Sequence, residues 1–467
     1  MEDKKINIDS GLNRRNFLTG SAAAAAVFTI VPRHVLGGPN YTAPSDKLNI
    51  ACVGIGGKGF SDTLAMEKEN VAALCDVDEN RLSETHGDNQ QTMLATFPKT
   101  KFYQDFRVML DKEKSIDAVT VSTPDHTHAV IAMEAMKRGK HVFVQKPLTH
   151  TIHEARVLTE AARKYGVITQ MGNQGHADEG GRLFNEWIGD GAIGAVTEVH
   201  CWTNRPVWPQ GIDAPQKTPS VPPIIDWNMW LGPMHWRPYH PAYVPFAWRG
   251  FWDFGTGALG DMGAHIIDHP YWALKLKYPT HVEASSSIFT KDSPPIASMV
   301  TYHFPARGEM PPLKMIWYDG GLKPQRPEVI EAGRMLGDNG GGVLCIGDRG
   351  ILMCSVYGRN PRIIPEPAMK EYQKNQKDAG GPRVKIPRSP GIHEEWLEAI
   401  KQGNKDMATT QFDYSGPLTE TMLLGNVAIR LAEKNLILEY DGEKGLFTNS
   451  EEANQYLHIE YRKGWTL

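Results

Sequence analysis

Three polar side chains stand where acid-base chemistry is easiest to write. In Gly257-Ala258-Leu259-Gly260-Asp261-Met262-Gly263-Ala264-His265-Ile266-Ile267-Asp268, the residues Asp261 and His265 are four apart and Asp268 follows three further on. On a helix that spacing puts Asp261 and His265 on one face, with Leu259, Met262 and Ile266 free to pack on the other. The carboxylate can orient the imidazole and favour its protonated form, so the pair reads as a proton shuttle near neutral pH. Two plainer readings compete: Asp261 as a helix cap after Gly260, and His265 as a satisfied core histidine. A metal site built from Asp261, His265 and Asp268 or His269 is the weaker reading, because no further ligand cluster is evident, and no metal is expected. The third side chain is Lys146, in His141-Val142-Phe143-Val144-Gln145-Lys146-Pro147. Pro147 biases Lys146 toward an extended conformation, and a buried Val142-Phe143-Val144 strand ending on a charge argues against a merely solvated lysine.

These groups need elements to hold them. Leu48 to Val53 is an apolar run ending in Gly54-Ile55-Gly56-Gly57-Lys58-Gly59; a segment of helical length and a second apolar run follow, closing on Asp76. That is one βαβ unit. Its first glycines allow a tight turn and close backbone approach to a pyrophosphate, and the third lets helix and strand pack together. Asp76 lies roughly 20 residues on, where a carboxylate accepts from a ribose hydroxyl. Asp76-Val77-Asp78-Glu79 has no Arg or Lys directly after the acid, so NAD is expected over NADP. Further strands are predicted at Val71 to Cys75, Asp117 to Ser122, His141 to Gln145 and Val167 to Met171, with helices at Glu79 to Thr96, His126 to Arg138 and Ile152 to Tyr165. This alternation predicts an α/β chain with a doubly wound parallel sheet, whose ligands sit beyond the carboxyl ends of the strands.

From about Asn173 the texture changes. Seven of the 12 tryptophans (Trp202, Trp208, Trp227, Trp230, Trp236, Trp248, Trp252) fall within Trp202 to Trp252, enough to fill a core and still line a cleft for the C–H faces of a sugar or cyclitol. Strands are predicted at Thr280 to Phe289, Ser298 to Phe304 and Lys314 to Tyr318, a hairpin around Asp348-Arg349-Gly350, a loop over Glu366 to Ser389, helices at His393 to Gln402 and Leu418 to Lys434, and a last strand at Leu436 to Tyr440. A net charge of −4 offers no basic field for nucleic acid. The five cysteines are scattered without a CxxC pair and read as buried thiols.

The Gly54 to Gly59 loop, Ser122-Thr123-Pro124 with His128, and Gln145-Lys146-Pro147 together resemble the Gfo/Idh/MocA oxidoreductases, although that family usually has Glu-Lys-Pro. The resemblance implies an N-terminal Rossmann domain and a C-terminal α+β domain with a mixed, mostly antiparallel, open-faced sheet. It implies that Lys146, Asp261 and His265 are the catalytic group. Cofactor contacts are expected from Gly54, Ile55, Gly56, Gly57, Lys58, Gly59, Asp76, Ser122, Thr123, Pro124, Asp125, His128, Gln145, Lys146 and Asn173. Candidate substrate contacts are His176, Arg249, Trp252 and Asp268. Gln145 removes a negative charge beside Lys146, with an expected effect on that lysine's pKa or its contact with the cofactor.

Asn13-Arg14-Arg15-Asn16-Phe17-Leu18 precedes a short, mildly apolar run and resembles a twin-arginine export signal. The domains expected are a signal and linker over 1–45, an NAD-binding domain over 46–172 and a substrate-binding domain over 173–467. The function expected is oxidation or reduction of a secondary hydroxyl of a sugar, glycoside or cyclitol in the periplasm, by a homo-oligomer joined through the C-terminal sheet. NAD should stay tightly bound, with Asn173 to His176 as cover, and no stable membrane span is expected. Rival readings are a redox-assisted glycosidase and a non-catalytic NAD-binding sensor.

Overall fold

Strands β1 (Asn49–Val53), β2 (Asn70–Cys75), β3 (Lys101–Tyr103), β4 (Ala118–Val121), β5 (His141–Gln145) and β6 (Thr169–Gly172) pair in the order β3-β2-β1-β4-β5-β6, all parallel. β4 and β6 are buried along their whole length, and β1 and β5 everywhere but their first residue, as a parallel sheet covered on both faces requires. The computed structural model describes residues 46–467. The Arg14-Arg15 segment and the rest of the expected leader lie outside the described residues. No helix among the described residues is long and apolar enough to cross a membrane.

The helices that bear on the site are α1 (Lys58–Ala65), α2 (Asp125–Lys137), α3 (Ile152–Tyr165), α4 (Glu179–Gly189), α5 (Gly257–Ile266), α6 (Ile392–Gln402) and α7 (Phe412–Arg430). α3 shows how local sequence fixes an element. Thr151 and Glu154 form a capping box at its start, and Gly166 at φ 63° ends it. α2 and α3 cover one face of the sheet. α1 lies on the other, and there Trp396 and Leu397 of α6 join Phe143 and Ile168 in one core. Residues far beyond the expected boundary at 172 therefore complete the first domain, because without α6 that apolar face would stay open to water.

Two expectations fail. Glu79 to Thr96 is not one helix: a turn at Glu79–Leu82 and a short helix at Met93–Thr96 flank a link that reverses at Gly87 and Gln90, both at positive φ. Glu366 to Ser389 is not a loop throughout, because Glu366–Asp378 is helical, with proline in its first turn, where the missing N–H is not needed, and helix-favouring Lys, Gln and Glu after it.

The second sheet is mixed. β7 (Val196–Thr203), β8 (His281–Ser286), β9 (Ser298–Phe304), β10 (Leu313–Tyr318), β11 (Gly341–Gly347) and β12 (Gly350–Ser355) lie in the order β12-β11-β7-β10-β9-β8, with short strands at both edges. Only β7 and β10 pair in parallel. β11 and β12 form the expected hairpin, Gly347 facing Gly350 across Asp348-Arg349.

In a parallel sheet all strands end at one edge, so Gly54, Asp76, Ser122, Lys146 and Asn173 form a row. Its spacing depends on glycine. A Cβ on Gly54, already at φ 78°, would lie 2.7 Å from the Ser122 carbonyl carbon, and one on Gly59 would lie 1.9 Å from the Gly54 oxygen. Gly59→Ala must therefore push α1 off β1 and is expected to lower unfolding stability by about 1–3 kcal/mol in a denaturant titration. An unchanged midpoint would show that the helix is free to shift.

Candidate active site

The row of strand ends opens into a cleft of about 580 Å³ whose walls include Gly54, Gly56, Gly57, Lys58, Asp76, Ser122, Thr123, Pro124, Gln145, Lys146, Asp261 and His265. The glycine loop is pinned by Asp76, whose carboxylate accepts from the Ile55 N–H at 2.9 Å and from the Asp78 N–H at 3.0 Å. Burial pushes the Asp76 carboxyl up to about 6, against those hydrogen bonds. The amides of Gly56 and Gly57 donate to no protein group among the described residues and are free for a ligand.

At the far end of the cleft the acid-base residues divide into two pairs. Lys146 donates from Nζ to the Asp261 carbonyl oxygen at 2.7 Å and to Asp261 Oδ1 at 2.9 Å. Arg249 approaches the same carboxylate at 3.5 Å. Burial opposes ionisation of Asp261, yet the charges of Lys146 and Arg249 hold it below the usual carboxylate range. His265 does not meet Asp261 in a hydrogen bond. Its Nδ1 faces Asn173 Oδ1 at 3.0 Å, so Nδ1 carries the proton and Nε2 has the lone pair. Burial, reinforced by the charge of Lys146, pushes His265 well below its ordinary value. The expectation that Asp261 orients His265 and favours its charged form is therefore corrected. An i, i+4 carboxylate shares a helix face with the ring, but Lys146 and Asn173 reach the two groups first.

Gln145 is also reinterpreted. Its amide nitrogen donates at 2.8 Å to Asp62, a carboxylate with no exposed surface on α1. Asp62 also accepts from Ser122 Oγ at 2.8 Å, Lys58 Nζ at 2.7 Å and His393 Nε2 at 3.0 Å. Burial works against it, but the hydrogen bond from His393 and the charge of Lys58 keep its carboxyl below the usual range. The side chain of Gln145 thus serves Asp62 and not the Lys146 ammonium. Nothing in local spacing marks Asp62, whose partners Gln145 and His393 lie 83 and 331 residues away.

Other candidate residues are placed differently. His128 is buried, with its ring nitrogens on the Pro147 and Thr123 carbonyls at 2.9 and 2.8 Å, so it braces two strand ends and does not line the cleft. Asp125 borders the cleft but accepts from the Thr256 N–H and hydroxyl at 3.1 and 2.7 Å. Asn173 serves His265. His176 and Asp268 form a buried pair at 3.0 Å outside the cleft, with His176 stacked on Trp272, and Trp252 packs in the core under Arg430. Arg249 does line the cleft, its guanidinium 4.2 Å from the Trp248 ring centre. Trp230 and Trp248 line it too, whereas Trp202, Trp208 and Trp227 are buried elsewhere and Trp236 is exposed.

Three features escaped the sequence reading. Arg81 lies over Gly56 in the cleft and is ion-paired to Asp78 and Glu84, both at 2.7 Å. Gln174 places a buried, unpartnered amide nitrogen in the cleft region. At the Asp76 end residues 222–226 run against the second strand's exit, where the Glu79 N–H donates to Ile224 O at 3.2 Å and the Asp226 N–H to Val77 O at 2.8 Å, with Ile225 and Trp465 in the cleft wall.

Free loop amides, a helix start, an acid at the second strand end and an unpartnered Gln174 nitrogen fit a nicotinamide dinucleotide laid along the strand ends. Comparison with known proteins agrees. A family model described as oxidoreductase family, NAD-binding Rossmann fold, matches residues 48–173, and one described as oxidoreductase family, C-terminal alpha/beta domain, matches residues 194–307. The chain is 26% identical over 169 residues to levoglucosan dehydrogenase of Pseudarthrobacter phenanthrenivorans, covering 35% of this chain and 34% of the relative. It is 30% identical over 167 residues to glycosyl hydrolase family 109 protein 2 of Akkermansia muciniphila, covering 33% and 34%. The matched stretch thus spans about a third of the length of these curated relatives. The structure of the WlbA dehydrogenase from Bordetella pertussis, in complex with NADH and UDP-GlcNAcA, shares the fold with a TM-score of 0.57 at 14% identity, over 85% of this chain and 99% of that one.

Asp62 yields a charge-swap prediction. Gln145→Glu sets a second carboxylate against a buried one and removes a donor, so stability should fall by about 2 kcal/mol. Adding Asp62→Asn, which restores one donor and one acid, should recover most of the loss in thermal or denaturant unfolding. Losses that simply add would show that the two side chains do not share one charge.

Proposed function

Because the chain belongs to the Gfo/Idh/MocA oxidoreductase family, we propose that it oxidises or reduces a secondary hydroxyl of a sugar, glycoside or cyclitol with NAD. The observation that carries this reading is the convergence of Lys146, Asp261 and His265 in the same cleft as the glycine loop. When bound, NAD supplies the hydride acceptor or donor. The chain's own residues handle the proton and the charge. His265 Nε2, unprotonated and held through Asn173, takes the hydroxyl proton. Lys146 has three N–H donors; two are held by Asp261, and the third is free to meet the oxygen as negative charge develops on it. Arg249 and Asp261 fix that ammonium in place. The flat faces of Trp230, Trp248 and Phe246 suit the C–H face of a sugar ring.

A second reading is a redox-assisted glycosidase, in which transient oxidation of a hydroxyl acidifies the neighbouring C–H and lets the leaving group depart. The relatives named glycosyl hydrolase family 109 support it. Product analysis separates the two: free aglycone without net NADH points to the glycosidase, an accumulating keto-sugar to the dehydrogenase. The twin-arginine-like segment supports export to the periplasm. The second sheet supports assembly into a homo-oligomer, since β9 and β10 alternate buried residues with a less buried face.

His265→Ala and Lys146→Ala should lower turnover by about 100-fold or more while folding and NAD binding persist; near-normal turnover in both would remove these assignments. The pH dependence has a definite sign. The folded pKa of His265 lies below 6.5, so the base is available at and above that pH and is lost as pH falls through the lowered value. For oxidation, kcat/KM should be flat from about pH 6.5 to 8 and fall only in acid; an acid limb centred at 7 or above would contradict this.

An exported enzyme meets no reliable supply of free NAD, so the cofactor should be carried out bound and re-oxidised in place by a second substrate or a later step of the same cycle. Residues 222–226 and Trp465, beside the Asp76 end, support slow release. Exported protein, dialysed and then denatured, should release close to one NAD per chain, and NADP should bind at least about tenfold more weakly, because Asp76 and Asp78 face a 2′-phosphate while Arg81 is already held by two carboxylates. Empty protein that needs added NAD, or NADP binding as tight as NAD, would overturn retention or selectivity respectively.

A further inference from the structure

His265 is touched on a second side by a residue with an uncommon backbone. Tyr357, just after β12, has φ 63° and ψ 22°. Bulky side chains rarely adopt that left-handed conformation, and it persists only where the surroundings over-determine it. Here four glycines do so. A Cβ on Gly175 would lie 2.8 Å from Tyr357 Cα, one on Gly180 2.5 Å from the Gly358 oxygen, one on Gly358 2.8 Å from Gly181 Cα, and one on Gly181 2.8 Å from the Gly175 oxygen. The turn is thus pressed, backbone to backbone, against the segment 174–177 and the start of α4. Its outcome is a specific ring position: Tyr357 meets His265 edge to face, centroids 4.7 Å apart and planes at 66°, in the wall of the cleft. Arg359 lies over the Tyr357 ring at 5.2 Å.

We propose that Tyr357 is a positioning residue whose ring fixes the plane of the His265 imidazole on one side, as Asn173 fixes Nδ1 on another, and keeps bulk water off the imidazole. This rests on the reading of His265 as the base. A side chain recruited only to fill space needs no left-handed backbone, since a relaxed turn carries an aromatic ring into a core equally well. The groups that set the charge around the imidazole are Asp261 on its own helix, Lys146 after β5, His269 one turn on and Lys58 on α1. Changes at position 357 leave all four in place, so their effects report on the ring.

The test uses the full chain loaded with NAD. His265 is followed by NMR titration in the wild type and in Tyr357→Phe, Tyr357→Asn and Tyr357→Gly; Asn and Gly both tolerate the left-handed conformation. Turnover is measured on p-nitrophenyl β-D-glucoside and on myo-inositol. Phe, which keeps the ring, should preserve the low His265 pKa and most of kcat. Asn and Gly should raise that pKa toward 6.5 and lower kcat by about 10-fold to 100-fold, with KM and NAD affinity little changed and the melting temperature not reduced. Wild-type titration and kcat in the Asn and Gly variants would overturn the proposal. So would a Phe variant as impaired as Gly, which assigns the role to the hydroxyl, or a large drop in melting temperature in both Asn and Gly, which makes the ring structural. Full activity of His265→Ala would instead remove the base assignment, and the NMR titration, which needs no turnover, tells the two failures apart.

Discussion

A carboxylate taken out of water must be surrounded by donors, and Asp62 is the one around which this site is assembled. Its donors come from four separate pieces of chain: Lys58 on its own helix, Ser122 after β4, Gln145 at the end of β5 and His393 on α6. Breaking any of these contacts leaves charge less well compensated, so the helix that opens the glycine loop cannot slide against the strands beside it. Lys146 follows Gln145 directly. Its place in the cleft is therefore set partly by a carboxylate that it does not touch.

The first domain then grips the second along one helix. Asp125 at the start of α2 holds Thr256, just before α5; Lys146 after β5 holds Asp261; Asn173 after β6 holds His265. Three neighbouring ends of one parallel sheet thus meet successive positions along one helix. A docking of this kind fixes Lys146, Asp261 and His265 against the strand ends, while Trp230, Trp248 and Arg249 reach the cleft from two short helical turns, Trp227–Leu231 and Ala247–Gly250. The return of α6 to the first sheet strengthens the same joint, because the chain crosses between the domains again.

What could be read from the sequence was whatever is local. The βαβ unit, the Lys-Pro strand end, the Asp348-Arg349 hairpin and the shared face of Asp261 and His265 follow from periodicity and short spacing. What could not be read was partnership across the chain. Spacing placed Asp261 beside His265, but the partners that engage them lie at 146 and 173, and the choice among neighbours on one helix face is made by the other domain. His128, His176 and Asp268 stand in polar company that looks functional on paper, yet His128 is satisfied by two backbone carbonyls, and Asp268 by the His176 ring and the Tyr414 hydroxyl, all inside the fold. Tyr357 and Asp62 carry no local signal, since one depends on a glycine seat built by distant segments and the other on burial.

The division into a charged pair and a neutral pair has a chemical consequence. Had Asp261 bonded to His265, the carboxylate would have drawn a proton onto the ring, making an acid of the group that oxidation needs as a base. With Asp261 turned to Lys146 and Arg249, and a neutral amide set against His265, the imidazole keeps its lone pair while the positive charge stands ready for the oxygen that is losing a proton. Run in reverse, the same geometry asks the ring to deliver a proton, so net oxidation must shed a proton from this buried nitrogen and net reduction must load one there. On the proposed reading, the low pKa that burial and Lys146 impose on His265 keeps the ring unprotonated at rest but makes it a weak base, so the hydroxyl proton moves to it only as Lys146 stabilises the developing alkoxide, and in a cycle without net oxidation that proton is still on Nε2 for the reduction that follows.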